Sequence, residues 1–219
     1  MRAFVKNILN INSARGRLLK KFAKKLGLVY FGSVDQHMDD HDVIRGLTVS
    51  TTHKDSHYAV GSYDGYDISI VDRFDTVLTK DGSKQEQTWL IMRIDLETDE
   101  PLPHLFLRPL THNQEAYSRF FTAFHHLLPI NTMLSGAHTA EFHGRYELYA
   151  TSTRVADIEQ YLTHEVSQII AARLWPHAVE LIDKKLYIYT TNETLNDTIL
   201  NTALESGLWL ARIFDKQQD

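Results

Sequence analysis

The sequence predicts an α+β fold, a largely antiparallel sheet of six to eight strands with helices packed on one side. Three observations carry that expectation. A meander of alternating segments turns at Asp64-Gly65 and again at Asp81-Gly82, and an Asp-Gly pair between alternating residues is a strong hairpin signal. A second hairpin pattern, Val179 to Thr190 (VELIDKKLYIYT), turns at Asp183-Lys184. Around these strands lie segments whose apolar residues recur every three or four positions, the mark of helices with one buried side.

Taken in order, Asn12 or Ser13 can cap a helix over about residues 14–26, and Gly27 supplies its left-handed stop. Leu28 to Phe31 is a short apolar strand, and Val43 to Thr51 is another, interrupted at Gly46. His57 to Ser62 and Tyr66 to Asp72 flank the first Asp-Gly turn, the second strand continuing toward Leu78. Ile68, Ile70 and Phe74 fall on one side of it, and Asp67, Ser69 and Val71 on the other. Thr88 to Leu96 (TWLIMRIDL) is the most apolar strand, which places it centrally, and His104 to Arg108 returns before Pro109. Tyr117, Phe120, Phe121, Phe124, Leu127 and Leu128 form the buried row of a helix that starts at Thr111 or Asn113 and stops at Pro129. Residues 131–140 read as a loop, Phe142 to Ala150 as a strand with Tyr146, Leu148 and Ala150 on one side. Helices follow over about 154–162 and 164–175, with Thr163 as the cap between them. A closing helix spans about 194–214, where Gly207 either kinks it or permits close packing.

The totals bound what such a domain can do. At 219 residues, with 43% hydrophobic and 11% aromatic residues, the chain has material for a real core. It has no cysteine, which removes disulfides, thiolate nucleophiles and cysteine metal sites. No apolar run reaches the roughly 20 residues of a membrane-spanning helix, and no secretory leader pattern is present, so the expected location is cytoplasmic, peripheral to the membrane at most. Residues 1–27 read as a basic amphipathic N-terminal helix, and 28–219 as a single α+β domain, either one compact unit or two lobes meeting near Pro109.

Charge is distributed unevenly. Residues 1–34 hold eight of the 23 basic side chains and none of the 28 acidic ones, so that segment carries +8 and the remainder −13. On a helical wheel Ala14, Leu18, Leu19, Phe22, Ala23 and Leu26 fill one half, and Arg17, Lys20, Lys21, Lys24 and Lys25 fill the other; only Arg15 intrudes on the apolar arc. A helix of this kind either packs on its own domain with solvated lysines or lies on a protein partner or an anionic membrane surface. Nucleic acid is disfavoured as a partner, because the acidic remainder repels phosphate.

One resemblance adds to this. The run HLFLRP from His104, the aromatic helix, RYELYATSTRVADIEQYLTHE and the hairpin ending LYIYT resemble uncharacterised bacterial proteins classed only as domains of unknown function. The stretch Arg45 to Asp67 is similar to hypothetical proteins of the same kind. Together these cover about half of the chain, and the shared motifs are structural, so the resemblance implies a fold and no catalytic residue. Proteins of the first sort often carry membrane spans ahead of the soluble part; here the basic helix stands in that place.

The best chemical candidate in the sequence is Ser33 to Asp42 (SVDQHMDDHD), where His37 and His41 lie four apart among aspartates. If helical, that spacing puts both imidazoles on one side within about 6 Å, where with Asp39 they suit zinc or another divalent metal. The plainer reading is a solvated polar loop. His53 and His57 repeat the spacing but precede a strand, where they stand about 13 Å apart. No G-x-S-x-G, G-x-x-x-x-G-K-[ST] or G-x-G-x-x-G occurs. The sequence therefore points first to a non-catalytic binding or membrane-peripheral module without a cofactor. The alternative is a metal-dependent, hydrolase-like enzyme using His37, His41 and the aspartate cluster.

Overall fold

The computed structural model describes residues 2–33, 54–78, 82–111, 117, 124–130, 136–151, 153, 155–191 and 194–216. The first helix, α1 (Arg2–Leu26), leads into strand β1 (Val29–Ser33), and the antiparallel meander follows as β2 (Lys54–Tyr63), β3 (Tyr66–Leu78), β4 (Lys84–Asp95) and β5 (Leu102–Pro109). A two-residue strand β6 (Leu128–Pro129), helix α2 (Ala140–Arg145) and strand β7 (Tyr146–Ala150) come next. Helices α3 (Val155–Tyr161) and α4 (His164–Leu174), the hairpin β8 (Ala178–Asp183) and β9 (Lys185–Thr191), and helix α5 (Asp197–Lys216) complete the chain.

The strands form one sheet in the order β1-β2-β3-β4-β9-β8-β5-β7-β6, with every neighbouring pair antiparallel. The described sheet thus has nine strands, more than the six to eight expected. One of them, β6, is only two residues long, below anything that alternation can reveal. Two of the three expected turns lie among the described residues: Asp64 and Gly65 have φ of 54° and 87°, and Asp183 has 55°, while Asp81 of the third lies outside them. At Asp64-Gly65, positive φ at both central residues gives the hairpin turn the twist of its flanking strands, and Asp and Gly tolerate that conformation best.

Register sorts the core into two clusters. The larger holds Ile68 and Ile70 of β3, Leu90, Met92 and Ile94 of β4 and Leu186 and Ile188 of β9, together with Leu19, Phe22, Ala23 and Leu26 of α1 and residues of α2 to α5. The alternate residues Val71, Trp89, Ile91, Phe106, Tyr187 and Tyr189 enter a second cluster with Tyr117 and Leu127. The central strands are therefore buried on both sides, which explains the near-continuous apolar run in β4.

Several boundaries differ from the sequence expectation: among the strands, β2 and β4 start at Lys54 and Lys84 rather than His57 and Thr88. Helix α1 begins at Arg2, so Asn12 and Ser13 lie within it rather than at its start. By spacing, Phe4, Ile8 and Ile11 continue the row Arg15, Leu18, Phe22 and Leu26, which is why the helix extends. Phe142 to Arg145 is helical rather than extended, because the Thr139 hydroxyl accepts a hydrogen bond from the Phe142 amide at 3.1 Å and starts α2. The aromatic helix does not reach Leu128: His125 and His126 form a turn, the Leu127 amide donates to the Phe124 carbonyl at 2.9 Å, and Leu128 pairs with Ala150 of β7. Most of that helix, and the strand expected over 43–51, lie outside the described residues. Helix α5 starts at Asp197, capped by the Asn196 side chain, which accepts from the Ile199 amide at 2.9 Å. Gly207 belongs to the close-packing case: a Cβ there would sit 2.7 Å from Ile188 Cδ1 and 2.8 Å from Ile94 Cδ1.

Candidate functional site

Helix α1 presents two unlike sides. On the inner side Leu19, Phe22, Ala23 and Leu26 are buried and Leu18 packs against them, so this part of the apolar stripe is covered by the chain's own core. Arg15, which interrupts that stripe, finds a buried counter-charge: its Nε donates to both Asp72 carboxylate oxygens at 2.8 and 2.7 Å. A cation on an apolar stripe is tolerable only with such a partner.

Around that pair the chain builds a small polar latch. The Tyr30 hydroxyl lies 2.7 Å from His57 Nδ1, and the two rings stack with centroids 6.2 Å apart. His57 sits at an irregularity in the β2–β3 ladder with φ of 54°, which turns its ring toward α1. Gly16 lets the helix come down on that ring, since a Cβ there would lie 2.5 Å from His57 Cε1. Burial lowers the His57 pKa, with Asp72 acting against that and Arg15 with it. Burial raises the Tyr30 pKa, and the Asp72 charge adds to the rise. These groups hold the helix in place. Only Arg15 signalled them in the sequence, as the one cation on the wrong side of the wheel.

The outer side carries the five cations that the sequence singled out. Arg17, Lys20 and Lys24 are exposed and make no ion pair among the described residues. Lys21 meets Asp197 at 3.3 Å, but with side chains 73% and 56% exposed the contact is screened by water. Lys25 donates to the Asn201 side-chain oxygen at 2.7 Å, a neutral partner. At 1.5 Å per residue, positions 17 to 25 make a cationic strip about 12 Å long. Beside its C-terminal end, a groove of about 190 Å³ lies between Leu26, Tyr63, Leu204 and Leu208, with the Arg212–Asp64 ion pair at its rim. That is below the several hundred Å³ of an ordinary small-molecule site.

The proposed metal ligands His37, Asp39 and His41 lie outside the described residues, as does His53. Among the described residues no group of three or more His, Asp or Glu is placed to hold a metal ion. No described helix is long and apolar enough to cross a membrane.

No family model and no curated protein matches the chain. Among solved structures it is similar to the crystal structure of the mycobacterial trehalose monomycolate transport factor A, TtfA, with a TM-score of 0.57 at 12% identity. The match covers 92% of this chain and 93% of that one. At that identity the likeness is one of fold, and it spans nearly the whole of both chains.

Proposed function

We propose that the protein is a non-catalytic, membrane-peripheral binding module at the cytoplasmic leaflet, docking on anionic lipid through the cationic strip of α1. The observation that carries this reading is that, among the described residues, the strip stays almost unmatched. Residues beyond 34 hold an excess of 13 acidic side chains, yet among the described residues only Lys21 of the five cations meets one of them. With Leu19, Phe22, Ala23 and Leu26 engaged in the core, contact by that part of the helix is electrostatic and not insertion of its apolar stripe. Each Lys or Arg near an anionic leaflet contributes about 1 kcal/mol, within a Debye length of about 8 Å at physiological salt. A charged strip along one helix face reads charge rather than shape, which suits a lipid surface better than a folded partner.

The test keeps the chain whole, because deleting α1 would remove Phe22 and its neighbours from the core. Co-sedimentation with phosphatidylserine-containing vesicles compares the full chain with an Arg17→Gln/Lys20→Gln/Lys24→Gln variant. Three contacts at about 1 kcal/mol each predict roughly 100-fold weaker binding by the variant, and release of the unaltered chain as salt rises. Equal sedimentation of both, or none by either, refutes the lipid reading. Retention on an acidic polypeptide but not on vesicles would assign the strip to a protein partner instead.

A further inference from the structure

On the sheet side opposite the α1 cluster, three strands and a turn bring together a chain of polar groups that the proposed lipid contact does not use. Glu180 of β8 is 3% exposed. One of its carboxylate oxygens accepts from the Tyr189 hydroxyl of β9, and the other lies 2.7 Å from His104 Nε2 of β5. The second nitrogen of His104, Nδ1, is 3.2 Å from Nε2 of His126, which stands exposed on the turn before β6. Phe124 lies edge-on to both imidazoles, so one side of the pair is apolar.

We infer that His104 and His126 form a two-imidazole site for a divalent borderline metal ion of the zinc, copper or nickel class. With metal–nitrogen bonds of about 2.0–2.1 Å, nitrogens 3.2 Å apart subtend an angle of roughly 103° at a shared ion, close to tetrahedral. Imidazole is the side chain that suits those ions. The support behind the pair is what ligating histidines require: the far nitrogen of His104 is held by a carboxylate, which fixes the ring and raises its basicity, and Tyr189 holds that carboxylate in turn. The ion takes the place of the proton that bridges Nδ1 and Nε2 when the site holds no metal, and His126 then carries that proton on its own Nδ1. Because His126 is exposed, the remaining coordination positions open to water. A site with open positions can bind an anionic ligand or polarise a water molecule.

The experiment is calorimetric titration of the chelator-treated full-length chain with Zn²⁺, paralleled by Co²⁺ and its visible absorption. One ion should bind per chain. His126→Ala, an exposed position whose loss leaves the core intact, should weaken binding at least 10-fold, and Glu180→Gln should weaken it by roughly 10- to 100-fold. Circular dichroism and a urea melt show whether Glu180→Gln still folds; if it does not, His126→Ala decides alone. A His37→Ala/His41→Ala variant should bind like the unaltered chain. No binding at millimolar metal overturns the assignment. So does unchanged affinity in His126→Ala, and so does loss of the ion only in the His37/His41 variant.

Discussion

Replacing Phe22 by alanine measures how firmly α1 belongs to the body. The ring is 1% exposed and lies in a row with Leu19 at 3%, Ala23 at 1% and Leu26 at 5%. A buried phenylalanine removes roughly 200 Å² from water, worth about 5 kcal/mol as an upper bound at 25 cal/mol/Å². Phe→Ala substitutions in cores cost about 3–5 kcal/mol, the cavity included. Alanine returns about 0.5 kcal/mol through its helix propensity, which leaves a net loss of about 3–4 kcal/mol. That is a large share of the 5–15 kcal/mol by which domains are stable. Urea unfolding followed by tryptophan fluorescence should show the midpoint falling by roughly 1.5–2 M for a slope near 2 kcal/mol/M, with the slope unchanged. Lys20→Gln, on the opposite side of the same helix, should stay within about 0.5 kcal/mol. A loss below about 1 kcal/mol in Phe22→Ala would refute the docking of α1, and with it the argument that only the basic side of residues 17–25 is free to meet a partner.

Two further perturbations probe the body. Gly207→Val forces side-chain carbons into Ile188 and Ile94, whose Cδ1 atoms already lie within 2.8 Å of a Cβ position, and should destabilise by about 1–3 kcal/mol in thermal melts. Gly207→Ala should land near zero, its gain of about 1 kcal/mol in helix propensity offsetting a smaller clash. Burial lowers the pKa of His138 and of His177 to about 4. The unfolded chain therefore takes up protons at these positions near pH 6.5, before the folded chain does. Their contribution to stability is complete above about pH 6.5 and is lost as pH falls toward 4, by at most roughly 3 kcal/mol each. Denaturant melts at pH 7, 6 and 5 check the slope. Imidazole proton resonances of both residues should stay unmoved between pH 8 and 5.5, and movement near 6.5 would contradict their burial.

Local order was legible in the sequence because it is written in short-range patterns. Asp64-Gly65 and Asp183-Lys184 fix turns through backbone preferences of one or two residues. The alternation in 66–72 and the three-to-four spacing in 18–26 state which side chains share a side. The misplaced boundaries at Phe142, Leu128 and Asp197 fall where a cap hydrogen bond or a two-residue pairing overrides periodicity, whereas α1 starts early, at Arg2, because the apolar spacing continues upstream.

Sequence alone determined that α1 has a greasy side, a basic side and one misplaced arginine, and that the chain folds as an α+β domain around antiparallel strands. Only the tertiary structure decided where the greasy side goes, and which polar groups meet. Arg15 and Asp72 are separated by 57 positions, and His104 and Glu180 by 76. Such partners are chosen by sheet register and by the demand that a buried charge be paired, and both arise only once distant strands lie side by side.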